Sequence, residues 1–341
     1  MTFTEEALQD RILLAHGSGG RLARELVEKS FLKVLANPLL ARLDDSAVFD
    51  LSGTLAFTTD SHVVSPIFFP GGDIGRLAVC GTVNDLAMSG ARPLYLSLAF
   101  IIEEGLTMSE LDRVVASIQK AAEEAGVKII TGDTKVVSRG NADRLFINTT
   151  GIGVVPEGVN ISGSNARPGD KVVLSGNIGD HSIAVLSKRE GLSFATDLKS
   201  DCAPLGSLVA EMLAASPSIH CLRDPTRGGL AATLNEIAGQ SGVGIRIEEE
   251  KIPVREEVLG ACEMLGLDPL YLANEGKLVA VVPAQDAEAV LKAMRVSCYG
   301  KEAAIVGEVS AEHPGRVVMK TGLGTSRIID MLVGEPLPRI C

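Results

Sequence analysis

Apolar residues along this chain follow two rhythms. Dense short runs at "TLAFTT", "LYLSLAFII", "KIIT" and "LFINTTGIGVV" have the length and β-branched content of buried strands. Between and before them, stretches at about 20–36, 73–89 and 108–125 carry apolar residues at helical spacing. The alternation resumes with "KVVLSG", helices near 180–190, 204–215 and 226–239, then "GIRI", "KLVAVV" and "AAIVGEV". This pattern predicts two α/β domains. The break falls in "PEGVNISGSNARPGD" (156–170), rich in Gly, Pro, Asn and Ser, which places the first domain at 1–155 and the second at 156–333. The remaining "GEPLPRIC" (334–341) holds two prolines, which favour an extended course. Eight such residues span roughly 25 Å at about 3.1 Å each, enough for a mobile tail to carry Cys341 away from the body or back into a cleft.

Composition narrows the picture. With 341 residues, 46% of them hydrophobic, and a mean hydropathy of +0.25, the chain can bury two cores. No apolar run reaches a membrane span, and "MTFTEEALQD" lacks the architecture of a secretion signal, so a cytoplasmic protein is expected. A net charge of −11 argues against nucleic acid as a partner. It leaves room for a small polyphosphate held through bridging Mg²⁺. The six cysteines form no CxxC pair, which excludes a zinc ribbon and a disulfide framework; most are expected to be reduced and buried. Cys341 is the exception, and no prenylation signal surrounds it.

The acidic residues carry most of the candidate chemistry. "LDDSAVF" supplies Asp44 and Asp45, "FTTDSHVVSP" Asp60 and His62, "GTVNDLAMSGARP" Asn84 and Asp85, and "TGDTK" Asp133 and Thr134. Each lies beside an expected strand end or inside an apolar segment, where an unpaired carboxylate is costly. On a helix Ile74, Ala78, Gly81, Asp85 and Met88 share one stripe, which puts Asp85 among apolar neighbours. Aspartates converging from separate strand ends would suit Mg²⁺ and, with it, nucleotide phosphates; the plainer alternative is a set of caps and turns. Lys135 could neutralise phosphate or polarise an amide oxygen, or form a surface ion pair. In "RDPTRGGL" Asp224 and Pro225 suit the start of a helix, whereas Arg227, Gly228 and Gly229 suggest close approach to phosphate or backbone. "HGSGG", with His16, is a weak phosphate-loop signal. Glu275, in a turn before a strand, could act as a base.

Together "HGSGG", "DDSAVF", "TTDSHVVSP", "GTVNDLAMSGARP", "TGDTKVV", "DPTRGGLA", "NEGKL" and the terminal "PRIC" resemble the HypE family of hydrogenase maturation factors, the carbamoyl dehydratases. The likeness runs from about residue 14 to the end. In looser form the internal motifs are shared with aminoimidazole ribonucleotide synthetase, selenophosphate synthetase and thiamine-monophosphate kinase.

The resemblance implies an N-terminal mixed-sheet domain that binds ATP and forms a dimer barrel, with a C-terminal α/β sandwich domain. It also implies a HypF-type carbamoyltransferase that loads Cys341, ATP-dependent dehydration of the thiocarboxamide to a thiocyanate, and delivery of cyanide to iron on a HypC–HypD complex. Asp45, Asp60, Asp85 and Asp133 would then hold Mg²⁺-ATP, together with His62, Asn84, Thr134, Arg227 and Gly228. Lys135 would polarise the thiocarboxamide, Glu275 would be the base and Cys341 the carrier. Two other readings compete. One is a small-molecule kinase or synthetase of the same superfamily, which would keep its turnover without Cys341. The other is a non-catalytic scaffold, which would turn over no nucleotide.

Overall fold

The computed structural model describes residues 10–192 and 197–331. The segment 334–341, with Cys341, lies outside the described residues. After a helix at α1 (Arg21–Leu26), which continues through a π-wound stretch Val27–Leu32 into Lys33–Leu35, the first sheet begins. Its strands are β1 (Thr54–His62), β2 (Arg92–Glu103), β3 (Lys128–Val137) and β4 (Leu145–Val155). They run in the order β1-β4-β2-β3, antiparallel except for the parallel β2–β3 pair. That parallel pair needs a crossover, supplied by α3 (Met108–Ala125), while α2 (Ile74–Met88) joins β1 to β2.

Both helices lie on one face of this sheet. The opposite face leaves Leu55, Phe57 and Ile101 at 50%, 71% and 42% exposure. Local chemistry fixes the helix starts. Asp73 accepts from the amides of Gly75 and Arg76 at 2.8 and 3.1 Å, and Thr107 with Glu110 forms a reciprocal cap on α3.

The second sheet has seven strands: β5 (Lys171–Leu174), β6 (Cys221–Arg223), β7 (Gly244–Glu248), β8 (Val279–Val282), β9 (Ala304–Ser310), β10 (Val317–Lys320) and β11 (Ser326–Ile329). Their order is β11-β10-β7-β9-β5-β8-β6, with β10–β7 the one parallel pair. Helices α4 (Asp180–Glu190), α5 (Gly206–Ala215), α6 (Gly229–Ser241), α7 (Glu256–Leu265) and α8 (Ala287–Val296) complete this half. Four of the cysteines, Cys80, Cys202, Cys221 and Cys262, are free and buried, as expected of small apolar side chains; Cys298 is free and exposed.

Helix α2 occupies the junction. Every residue from Ile74 to Met88 is buried except Arg76 and Asp85. Its Leu77, Val79 and Cys80 join the core of the first sheet, and its Ala87 and Met88 join a core built from α5, α8 and β8. The expected stripe containing Asp85 is therefore not what forms. The helix has almost no polar face, and Asp85 sits at one of the two places where it opens to the surroundings.

Candidate functional site

Strand β1 alternates cleanly. Leu55, Phe57, Thr59 and Ser61 face outward, while Thr58, Asp60 and His62 face α2. Asp85 rises from the helix to meet them and accepts a hydrogen bond from Thr58 Oγ1 at 2.9 Å. Burial, and then the nearby Asp60 charge, push the Asp85 carboxyl above its usual range, against the lowering effect of Thr58. His62 is buried, with Nε2 3.5 Å from Asp60 Oδ2 and 3.4 Å from Thr149 Oγ1. Burial lowers its pKa even though Asp60 pulls the other way, so its ring is neutral at pH 7. Gly81 makes this approach possible: a Cβ there would lie 2.8 Å from His62 Cε1 and 3.3 Å from Asp60 Oδ2.

A third carboxylate joins this group. Asp224 reads in the sequence as a helix cap, yet α6 starts at Gly229 with Gly228 as its cap residue. Asp224 instead sits in the connection from β6, half-buried, where desolvation and then Asp85 raise its pKa to about 7. Such a sum of unfavourable terms marks a site built to receive positive charge. Arg227 stands over the group with its guanidinium 3.8 Å from Asp60 Oδ1 and its side chain 81% exposed. Gly228 and Gly229 have φ of +72° and +61°, and a Cβ on Gly229 would strike the carbonyl oxygens of Leu270 and Leu272 at 2.7 and 2.6 Å. Close approach to backbone explains Gly229, and the left-handed φ of Gly228 favours glycine there.

The other expected residues lie elsewhere. Asp133 does not follow a strand end, because β3 runs through "TGDTK" to Val137. In the parallel register Asp133 pairs with Ala99 and Lys135 with Ile101, so both share the open face with exposed Ile101. Two positions apart on one face, they pair at 3.1 Å, and the Lys135 hydrogen bond holds the Asp133 carboxyl below the usual range. Asp60 and Asp85 are on the helix side of the same sheet, and Asp45 is in an exposed loop. The four-aspartate cluster expected from the sequence is thus split within one chain, and among the described residues no group of three or more Asp, Glu, His or Cys could hold a metal ion.

A cavity of about 390 Å³ lies along β3. Its rim includes Gly17 and Gly19 of "HGSGG", Asp44 and Ser46 of "DDSAVF", and Asp133, Thr134 and Lys135 of "TGDTK". Phe31, Leu35, Phe100 and Ile129 give it an apolar side. Asp44, rather than the expected Asp45, is the aspartate of that pair that lines it.

Asn84 is corrected from ligand to scaffold. Only 2% exposed, its amide donates to the carbonyls of Ala203 and Glu275 at 3.0 and 3.3 Å and accepts from Leu205 N at 2.8 Å. Glu275 does lie in a turn before a strand, as expected, but it is 6% exposed and tucked at the domain junction beside α2.

Comparison with known proteins places this geometry. Residues 43–155 match the family described as AIR synthase related protein, N-terminal domain, and residues 167–320 the corresponding C-terminal domain. The chain is 58% identical over 329 residues to carbamoyl dehydratase HypE of Azotobacter vinelandii, covering 96% of each protein. It superposes with a TM-score of 0.94 on a hydrogenase maturation protein HypE crystallised with ATP, at 55% identity and covering 96% of this chain and 99% of that one. A chain from a HypE–HypF complex superposes with a TM-score of 0.80 at 53% identity, covering 90% and 99%.

Proposed function

The chain belongs to the HypE family of carbamoyl dehydratases, enzymes of hydrogenase maturation, and from that premise we propose how its residues share the work. The observation that carries the reading is the cavity along β3, where three segments far apart in sequence meet a single apolar floor. An adenine suits that floor, and the glycine rim with Lys135 suits phosphates. ATP is therefore the assigned substrate, and phosphoryl transfer to the amide oxygen of a carbamoyl thioester converts that oxygen into a leaving group.

Mg²⁺ fits the donor set. It is normally held by one or two carboxylates together with substrate phosphates, so a protein cage of three or more ligands is not required. Asp60 and Asp85 would hold it, and Asp133 and Asp224 would add to the negative field. When bound, the ion would neutralise developing charge on the transferring phosphoryl group.

The edges of the first sheet suggest how the split site is completed. Strands β1 and β3 are its two edges, and its open face exposes the apolar side chains of Leu55, Phe57 and Ile101. We assign a homodimer in which the open faces meet and edge β3 of one copy lies beside edge β1 of the other. In that arrangement the β3 strand carrying Asp133 and Lys135 in one copy would adjoin the β1 strand carrying Asp60 in the second.

Cys341 carries the carbamoyl group, loaded by a HypF-type transferase, and the cyanide passes to a HypC–HypD iron carrier. Lys135 polarises the amide oxygen, and Glu275 removes the N–H protons, both of which must leave as the oxygen departs with phosphate. The test is to load Cys341 with carbamoyl and follow the mass of the terminal tryptic peptide with Mg-ATP. Loss of water is expected in the native protein, and at least a hundredfold slower loss in Glu275→Gln and Lys135→Ala. Water loss at the native rate in either variant removes that residue from its role.

A further inference from the structure

The main chain of Glu275 is gripped from two sides. Asp201 Oδ1 accepts its N–H at 3.1 Å, and its carbonyl accepts from Asn84 Nδ2 at 3.3 Å and from Ala203 N at 3.4 Å. The flanking residues are tied into the same frame. Asn274 accepts from Gly179 N at 2.7 Å and donates to the carbonyls of Pro225 and Leu272 at 3.1 and 2.8 Å. Gly276 leaves no room for a Cβ, which would collide with the Asp201 carbonyl. Lys277 Nζ approaches Asp201 Oδ2 to 3.4 Å while donating to the Gly276 carbonyl at 3.1 Å.

Asp201 is costly to keep here. Its side chain is only 2% exposed, and Oδ2 has no hydrogen-bond partner. Close by, Asp180 Oδ1 and His181 Nε2 are likewise buried without one. Asp180 is paired with Arg255 at 3.0 Å, and His181 Nδ1 with Ser200 Oγ at 2.8 Å. A fold seeking only stability would favour apolar packing over buried carboxylates whose oxygens lack hydrogen bonds. Asn84, the second grip, is next in sequence to Asp85, whose side chain belongs to the carboxylate group over β1.

We propose that Asp201 and Asn84 are positioning residues for Glu275, and that α2 thereby ties the carboxylates that face β1 to the seat of the base. Asp201 fixes the peptide on the N–H side and Asn84 on the carbonyl side, one from each domain. The inference rests on Glu275 being the base.

The experiment uses the full chain with carbamoyl-loaded Cys341 in single-turnover reactions, with ATP affinity and the melting curve measured on the same preparations. Asp201→Ala should slow water loss by roughly ten- to a hundredfold with ATP affinity changed less than threefold. Asp201→Asn keeps an oxygen for the Glu275 N–H and should stay within about threefold of native. If Asp201→Ala does not fold, Asp201→Asn decides. Asp201→Asn falling to the level of Glu275→Gln overturns the proposal, as does native-rate turnover by folded Asp201→Ala. A Glu275→Gln protein that turns over normally instead removes Glu275 as base, which separates that failure from this one.

Discussion

At the scale of single residues, Asp224 shows how a site differs from a cap. The motif "RDPTRGGL" fits a helix start so well that the carboxylate disappears into the pattern. What reveals it is the company of Asp85 and Asp60, which no local spacing predicts. Its folded pKa of about 7 against an ordinary 3.8 has a definite sign. Between those values this carboxyl is more protonated in the folded chain than in the unfolded one, so its contribution to stability is largest at low pH and is lost as pH rises through about 7. Asp180, raised to about 6 mainly by burial, adds to the same slope. Thermal melts of ligand-free protein from pH 4 to 8 should therefore show a shallower decline in Asp224→Asn than in the native chain. An identical slope would mean that Asp224 is ionised throughout.

At the scale of elements, α3 is held at its start by the Thr107–Glu110 box, with Glu110 N 3.2 Å from Thr107 Oγ1. Thr107→Ala should cost about 1 kcal/mol, read as a lowered urea midpoint with an unchanged slope. The strand runs were legible because they depend on residues adjacent in sequence. The helices near 180–190, 204–215 and 226–239 likewise formed at Asp180–Glu190, Gly206–Ala215 and Gly229–Ser241. Periodicity failed at α2, where burial on nearly all sides removes the contrast between faces that a stripe argument needs. It also failed at β3: "TGDTK" looks like the loop after a strand, yet parallel pairing with β2 carries the strand through it. That extension sends Asp133 and Lys135 to the open face. Asp60 and Asp85 both lie between β1 and α2, but which face each strand residue takes depends on register, and register is set by partners distant in sequence.

For the whole molecule, the proposed homodimer rests on the uncovered face of the first sheet. An apolar patch containing Leu55, Phe57 and Ile101 is costly to leave in water. Phe57, at 71% exposure, touches little within its own chain, so Phe57→Lys should leave the fold intact while shifting the chain to a monomer in sedimentation experiments. Carbamoyl dehydration should fall with it. A monomer of native activity would show that one chain holds a complete site. Among the described residues no helix is long and apolar enough to cross a membrane.

The position of α2 has a consequence for how the chain comes apart. Two family domains and two sheets would ordinarily suggest two independent melting events. Here one helix supplies side chains to both cores, and Asn84 stitches the second domain to its middle. Neither half can lose its packing without exposing apolar surface in the other. Unfolding should therefore be a single cooperative transition in calorimetry, with the amides of α2 among the last of the described residues to exchange with solvent.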